Sequence, residues 1–235
     1  DGLVCVFDVE AAILDTDQPW FRDGAPSRHL LHRLSILSFC VCSAVDSLVI
    51  LGTAHGKAIA LDAKKGTEVY TIGSEGDGLG DVLACSAASA LPGRVALCGA
   101  SGRVAVYQDQ ILLRVLNGHH PLRATCVAIS RGGNLVASGG MDGKLIVSPV
   151  VTGDSEAAVF ENIHGGTWIS TVALSPSGSE VFSTGGDGRV IVMDTATQEP
   201  QWLSMAPAGH VDFIALQGSS MPTSRQDLKP LRLVA

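Results

Sequence analysis

The sequence predicts an all-β protein, a β-propeller built of four-stranded antiparallel blades, and three observations predict it. The first is the stretch 135–149, Leu-Val-Ala-Ser-Gly-Gly-Met-Asp-Gly-Lys-Leu-Ile-Val-Ser-Pro, in which two β-prone apolar runs are joined by an Asp-Gly turn, the pattern of a hairpin. The second is its recurrence. Residues 183–194 align to it without a gap, 97–107 and 50–62 align with turns at Ser101-Gly102 and His55-Gly56, and the chain opens on the same pattern at Asp1-Gly2. The third is the period: the turn glycines Gly2, Gly56, Gly102, Gly143 and Gly188 recur at intervals of roughly 41 to 54 residues, a blade's length rather than a helical repeat's. One small sheet cannot bury both faces, so such sheets stack around an axis.

Composition agrees with a packed body. The chain is 46% apolar and 17% charged, which is enough core-forming material for globular folding. No run of about 18 apolar residues occurs, and the longest candidate, 34–45, is broken by Ser35, Ser38 and Ser43. No basic-then-apolar leader is present. The chain begins on Asp1 inside a turn whose first strand is missing, so the expectation is a segment of a longer polypeptide forming a single propeller domain over 1–235.

In chain order, 1–9 reads as the third strand of a truncated blade. Residues 10–33 lack alternation and hold Pro19, Pro26, Asp15, Asp17, Asp23 and Gly24, the composition of an inserted surface loop. Trp20 and Phe21 within it are either a docking element or the anchor that pins the loop. The first complete blade uses strands at 36–43, 47–53, 57–62 and 68–72. The glycine-rich run 73–80 reads as a flexible connector; with no helix after it, no closing Lys-Ser/Thr and two acids inside, it is not a phosphate loop. The next blade uses 82–86, 94–98, 103–107 and 111–116. Further blades span 124–160 and 169–203, the latter with Ser175-Pro176-Ser177-Gly178 as its first turn. Residues 211–216 start another first strand, and 218–235 is a poorly patterned tail with a candidate closing strand at 231–234. The segment thus holds about five to six blades of a ring expected to total about seven.

These residues resemble the WD repeat: Gly-His before the first strand, a Ser-Pro-x-Gly turn, an apolar-Ser-Gly hairpin, an x-Asp-Gly turn and a strand ending in Trp-Asp. Gly118-His119, Ser138 and Asp142-Gly143 match in one blade; His164, Ser175-Pro176, Ser183, Asp187-Gly188 and Met193-Asp194 match in the next. The terminal Trp is replaced throughout, by Phe7, Leu61, Tyr107, Ser148 and Met193. The resemblance implies buried structural networks at His119-Ser138-Asp142 and His164-Ser183-Asp187, in which an imidazole bonds a second-strand Ser while the turn Asp orients it. A hydrolase would carry one unique set on a sharp elbow; a repeated set reads as structural, so no catalytic residue is assigned. More finely, the long insertion followed by Phe39-Cys40-Val41-Cys42-Ser43, Leu51-Gly52-Thr53-Ala54-His55-Gly56 and Gly102-Arg103-Val104-Ala105-Val106-Tyr107 is similar to the C-terminal propeller of BEACH-domain proteins. That similarity implies a large cytoplasmic scaffold in vesicle traffic, with peripheral membrane association through an upstream domain.

The functional expectation is a non-catalytic platform for other proteins, with candidate contacts at His55, Ser101, His120, Arg123, Met141 and Trp168, in turns and in the loops leading into blades. An assembly scaffold for ribonucleoprotein is the alternative. An enzyme propeller needs inward acids or histidines at matching positions, whereas the first strands offer almost only apolar and hydroxyl residues. No cofactor or metal is expected. Six cysteines sit at strand positions without C-x-x-C spacing; Cys40 and Cys42 share a face and admit a zinc site or bridge, but free buried thiols are favoured. The net charge of −7 argues against nucleic acid, although Arg28, Arg33, Arg123 and Arg131 could form a local patch.

Overall fold

The computed structural model describes residues 36–42, 48–62, 65, 67–116, 120–151 and 157–205. Within them lie four four-stranded antiparallel sheets. Blade 1 is β1 (Ile36–Cys42), β2 (Leu48–Thr53), β3 (Ala58–Asp62) and β4 (Thr67–Ile72). Blade 2 is β5 (Val82–Ala87), β6 (Arg94–Gly99), β7 (Val104–Gln108) and β8 (Ile111–Leu116). Blade 3 is β9 (Ala124–Ile129), β10 (Leu135–Gly140), β11 (Leu145–Pro149) and β12 (Ala158–Phe160), and blade 4 is β13 (Ile169–Leu174), β14 (Glu180–Gly185), β15 (Arg189–Asp194) and β16 (Pro200–Met205). In each sheet the strands pair in sequence order, as hairpins joined by short turns demand.

Register is set by the repeated turn. Ser138 pairs with Ile146 and Ser183 with Ile191, with Leu97 opposite Ala105 and Leu51 opposite Ile59 at the corresponding places. Turn glycines Gly56, Gly102, Gly143 and Gly188 all have φ between 74° and 81°, the left-handed region that glycine adopts without strain. The second and third strands are buried on both faces, which is why they read as nearly unbroken apolar runs rather than as alternation.

First strands meet first strands. β1 packs on β5, β5 on β9 and β9 on β13, so these four are innermost and the fourth strand of each blade is outermost. The core lies between blades: Ile50, Ile72, Val82 and Leu97 between blades 1 and 2; Val104, Leu116, Val127 and Val136 between 2 and 3; Leu145, Phe160, Ile169 and Val181 between 3 and 4. Each such side chain stabilises the stack by about 1.5–3 kcal/mol relative to exposure. Hydroxyls on the inner strands stitch neighbours together. The Thr125 hydroxyl donates to the Ile169 carbonyl, and Ile129 N–H donates to Ser86 Oγ at 3.2 Å.

The run 73–80 departs from the flexible connector expected of it. It holds a single 3₁₀ turn, Glu75–Asp77, and buries Leu79 completely. The Asp77 carboxylate accepts from Ser74 N–H at 2.8 Å and from the Tyr107 hydroxyl at 2.7 Å. The truncated blade at 1–9, the insertion 10–33 with Trp20 and Phe21, the strands expected at 211–216 and 231–234, and the tail 218–235 lie outside the described residues.

Candidate functional site

Two buried networks mark blades 3 and 4. His164 Nδ1 lies 2.8 Å from Asp187 Oδ1 and its Nε2 lies 3.0 Å from Ser183 Oγ. His120 repeats this geometry, with Nδ1 2.8 Å from Asp142 Oδ1 and Nε2 3.0 Å from Ser138 Oγ. A carboxylate only accepts, so each Nδ1–H donates to Asp, and the neutral Nε2 accepts from the Ser hydroxyl. Burial holds the His120 pKa below its ordinary value, against the opposing pull of Asp142. Gly140 and Gly185 make room: a Cβ on Gly185 would lie 2.6 Å from His164 Cγ, and one on Gly140 would lie 2.6 Å from Asp142 Oδ1.

The histidine of the blade 3 network is therefore His120, not His119. Counting back from Ser138 by the spacing of blade 4 lands on His119, but the loop from the histidine to β9 is one residue shorter than the loop to β13, so the next imidazole swings in. His119 lies outside the described residues. His120 is 2% exposed, which removes it from the surface contacts expected of it.

Both serines are fully buried, so neither hydroxyl can meet a substrate. The networks tie a lead-in loop, a second strand and a turn of one blade together. Blade 2 reaches the same end with other chemistry. Leu97 stands at the Ser position, Ser101 at the Asp position, and Tyr107 reaches from β7 to Asp77 in the lead-in loop. The turn bond survives the exchange: Ser101 Oγ accepts from Arg103 N–H at 3.4 Å, as Asp142 Oδ1 accepts from Lys144 N–H and Asp187 Oδ1 from Arg189 N–H. The Tyr107–Asp77 pair escaped sequence reasoning because the two residues lie 30 apart with no repeat-related counterpart. In blade 1 the Ser position is the buried Leu51, and the Asp position is the exposed His55, at φ 63°.

These ties hold one face rigid. On it, Ala100 N–H donates to the Asp81 carbonyl, Met141 N–H to that of Arg123 and Gly186 N–H to that of Trp168, at 2.9, 2.9 and 3.1 Å. Asp81, Arg123 and Trp168 are thus repeat-related residues just before a first strand. Trp168 lies on Gly186, where a Cβ would come 2.9 Å from the indole Cζ2. Leu122, Met141 and Trp168 are 56%, 50% and 44% exposed. Of the expected contacts, His55, Ser101, Arg123, Met141 and Trp168 all stand exposed on this face. Leu122 was missed, although an apolar residue in the turn His120-Pro121-Leu122-Arg123 is a usable signal. Arg131 sits in the turn after β9 and Arg123 before it, so the two occupy opposite ends of the strand and form no patch.

Cys85, Cys98 and Cys126 are free and buried. Among the described residues no group of three His, Cys, Asp or Glu side chains is placed to hold a metal.

Residues 110–147 and 159–194 match the family described as WD domain, G-beta repeat. No curated protein matches the chain. Among solved structures, a chain of the crystal structure of the mitotic checkpoint complex superposes with a TM-score of 0.59 at 19% identity, over 69% of this chain and 49% of that one. The chain thus spans about half the length of that solved chain. The match extends to the fold: all-β, with four-stranded antiparallel sheets as propeller blades.

Proposed function

We propose that this chain, two of whose blades match the WD repeat, is a non-catalytic docking platform for other proteins, and that the working surface is the face of lead-in loops and second-to-third-strand turns. One observation carries the reading: Leu122, Met141 and Trp168 are large, apolar and exposed, yet sit on loops pinned by backbone bonds. Exposed anchors held rigid lose little freedom on binding, which is how a few residues come to dominate an interface. The buried Ser-His-Asp sets support a structural rather than a hydrolytic role, since no reacting atom can approach Ser138 or Ser183.

The sequence similarity to BEACH-type propellers supports placing this platform in the cytoplasm, in vesicle traffic; imaging of the tagged protein against organelle markers tests it, and a secreted or nuclear pool would refute it.

The platform is tested by Met141→Asp and Trp168→Ala. A cross-linkable probe at Ser101 should capture defined partners from the wild type and lose them in both variants, with thermal midpoints unchanged. Capture that survives both substitutions, or that falls only in step with stability, overturns the reading.

A further inference from the structure

Away from the docking face, the outer rim exposes three consecutive apolar side chains on one strand. Ile111, Leu112 and Leu113, the first three residues of β8, are 69%, 38% and 45% exposed. β8 ends its sheet: it pairs with β7, and no described strand pairs with its other side.

Such an edge is an open template for another strand, and folded proteins blunt it with charges, proline or brevity. The other three outer strands are blunted. β4 sets Glu68, Thr67 and Thr71 at the surface around its one exposed apolar residue, Val69; β12 is three residues long; and β16 opens on Pro200, which has no N–H to give. A bulge makes Leu113 the extra residue of β8, but β4 and β16 are bulged at the same place, so the bulge belongs to the blade and guards no edge in particular. The charges near β8 are engaged within the fold. Arg114 donates to the Pro149 carbonyl of blade 3 at 2.9 Å, and the Asp109 carboxylate, in the turn before the strand, lies over Gly93. Two residues beyond Pro149, Val151 is exposed as well, so the apolar rim continues onto blade 3.

We infer that β8 is a self-association edge: two copies of the chain pair β8 to β8, antiparallel about a two-fold axis, each covering the other's Ile111, Leu112 and Leu113. A second copy is the occupant because the edge is its own complement. It brings an extended strand with the same unpaired side, apolar side chains with no charge to repel their counterparts, and a symmetry that closes at two instead of growing a fibre. The net charge of −7 disfavours contact between copies elsewhere, whereas β8 holds no acid. One strand pair with a short apolar strip buries less than a standard interface of about 1,600 Å², so the dimer is weak and reversible, with a Kd of about 1–100 µM.

Sedimentation of the full chain from about 0.1 to 100 µM tests it, and a reversible shift from monomer to dimer that stops at two is expected. Leu113→Lys and Leu113→Glu should each weaken the dimer by about tenfold or more and leave the thermal midpoint of the monomer unchanged. An equal mixture of the two should restore it, because unlike charges then face each other across the axis. Ile111→Lys, at the most exposed of the three, replaces the first variant should Leu113→Lys lower the midpoint. A monomer at the highest concentration, assembly that runs past two, a dimer indifferent to all three substitutions, or a mixture no tighter than its parts overturns the inference.

Discussion

The Tyr107 hydroxyl donates to Asp77 Oδ2 at 2.7 Å, and this one bond does in blade 2 what a His-Ser-Asp network does in each of blades 3 and 4. It joins the third strand to the loop that leads into the blade. Tyr107 is 1% exposed, and burial together with the Asp77 carboxylate pushes its phenol far above the ordinary range, so it remains a donor at every pH the fold survives.

Tyr107→Phe removes only the donor. It should destabilise the chain by about 1–2 kcal/mol in urea titrations, because Asp77 loses a buried partner. Combining it with Asp77→Asn should cost less than the two separate losses added together. Strict additivity would show that the bond contributes nothing.

Gly185→Ala should be among the most damaging small substitutions, since its methyl would stand 2.6 Å from His164 Cγ. A loss of about 2–4 kcal/mol, or failure to fold, is expected. Gly132→Ala is the control: its nearest neighbour would be Asn134 Oδ1 at 3.6 Å, and a change within about 0.5 kcal/mol is expected. Equal tolerance at both sites would mean that the imidazole is not seated on Gly185.

His120 makes stability depend on mild acid. Its folded pKa lies below the unfolded value near 6.5, so on acidification the unfolded chain takes up the proton first. The stabilisation from His120 is complete above about pH 6.5 and is lost as the pH falls through the folded pKa. Thermal midpoints measured from pH 7.5 to 5 should fall for the wild type. His120→Ala should be less stable at pH 7.5 and show a shallower fall; parallel slopes would refute the assignment.

Burial pushes the Cys98 thiol well above its ordinary pKa and that of Cys126 up to about 12. Thiolate is the reactive form, so peptides holding Cys98 and Cys126 should stay unlabelled by iodoacetamide at pH 8 in the native state and be labelled in urea, and the buried position of Cys85 shields it from the reagent in the same way. Mass spectrometry reads this directly; native labelling at Cys98 would show that the space between blades 2 and 3 opens.

The hairpins were legible because their signal is local. Asp142-Gly143 and Asp187-Gly188 announce their turns, and strand bounds in blades 1 to 4 fall within a few residues of those the pattern implies. The His164 set could be located by counting, since Ser183 and Asp187 follow at repeat spacing. The same count failed at His119 by one residue, because the loop after the histidine is free to shorten when the strand stays in register. Leu122 becomes a contact candidate only when its exposure is seen, as apolar residues in short loops are as often buried, whereas Trp168 is already among the contacts expected from the sequence.

What the sequence determined by itself is the blade: turn chemistry and apolar periodicity act between residues a few positions apart, and four hairpin-joined strands follow from them. What the tertiary structure alone decided is how blades hold their loops and what they leave exposed. Tyr107 meeting Asp77 and His120 taking the place expected of His119 depend on distances between segments tens of residues apart. Such distances are set by the packing of one sheet on the next, which no local pattern encodes.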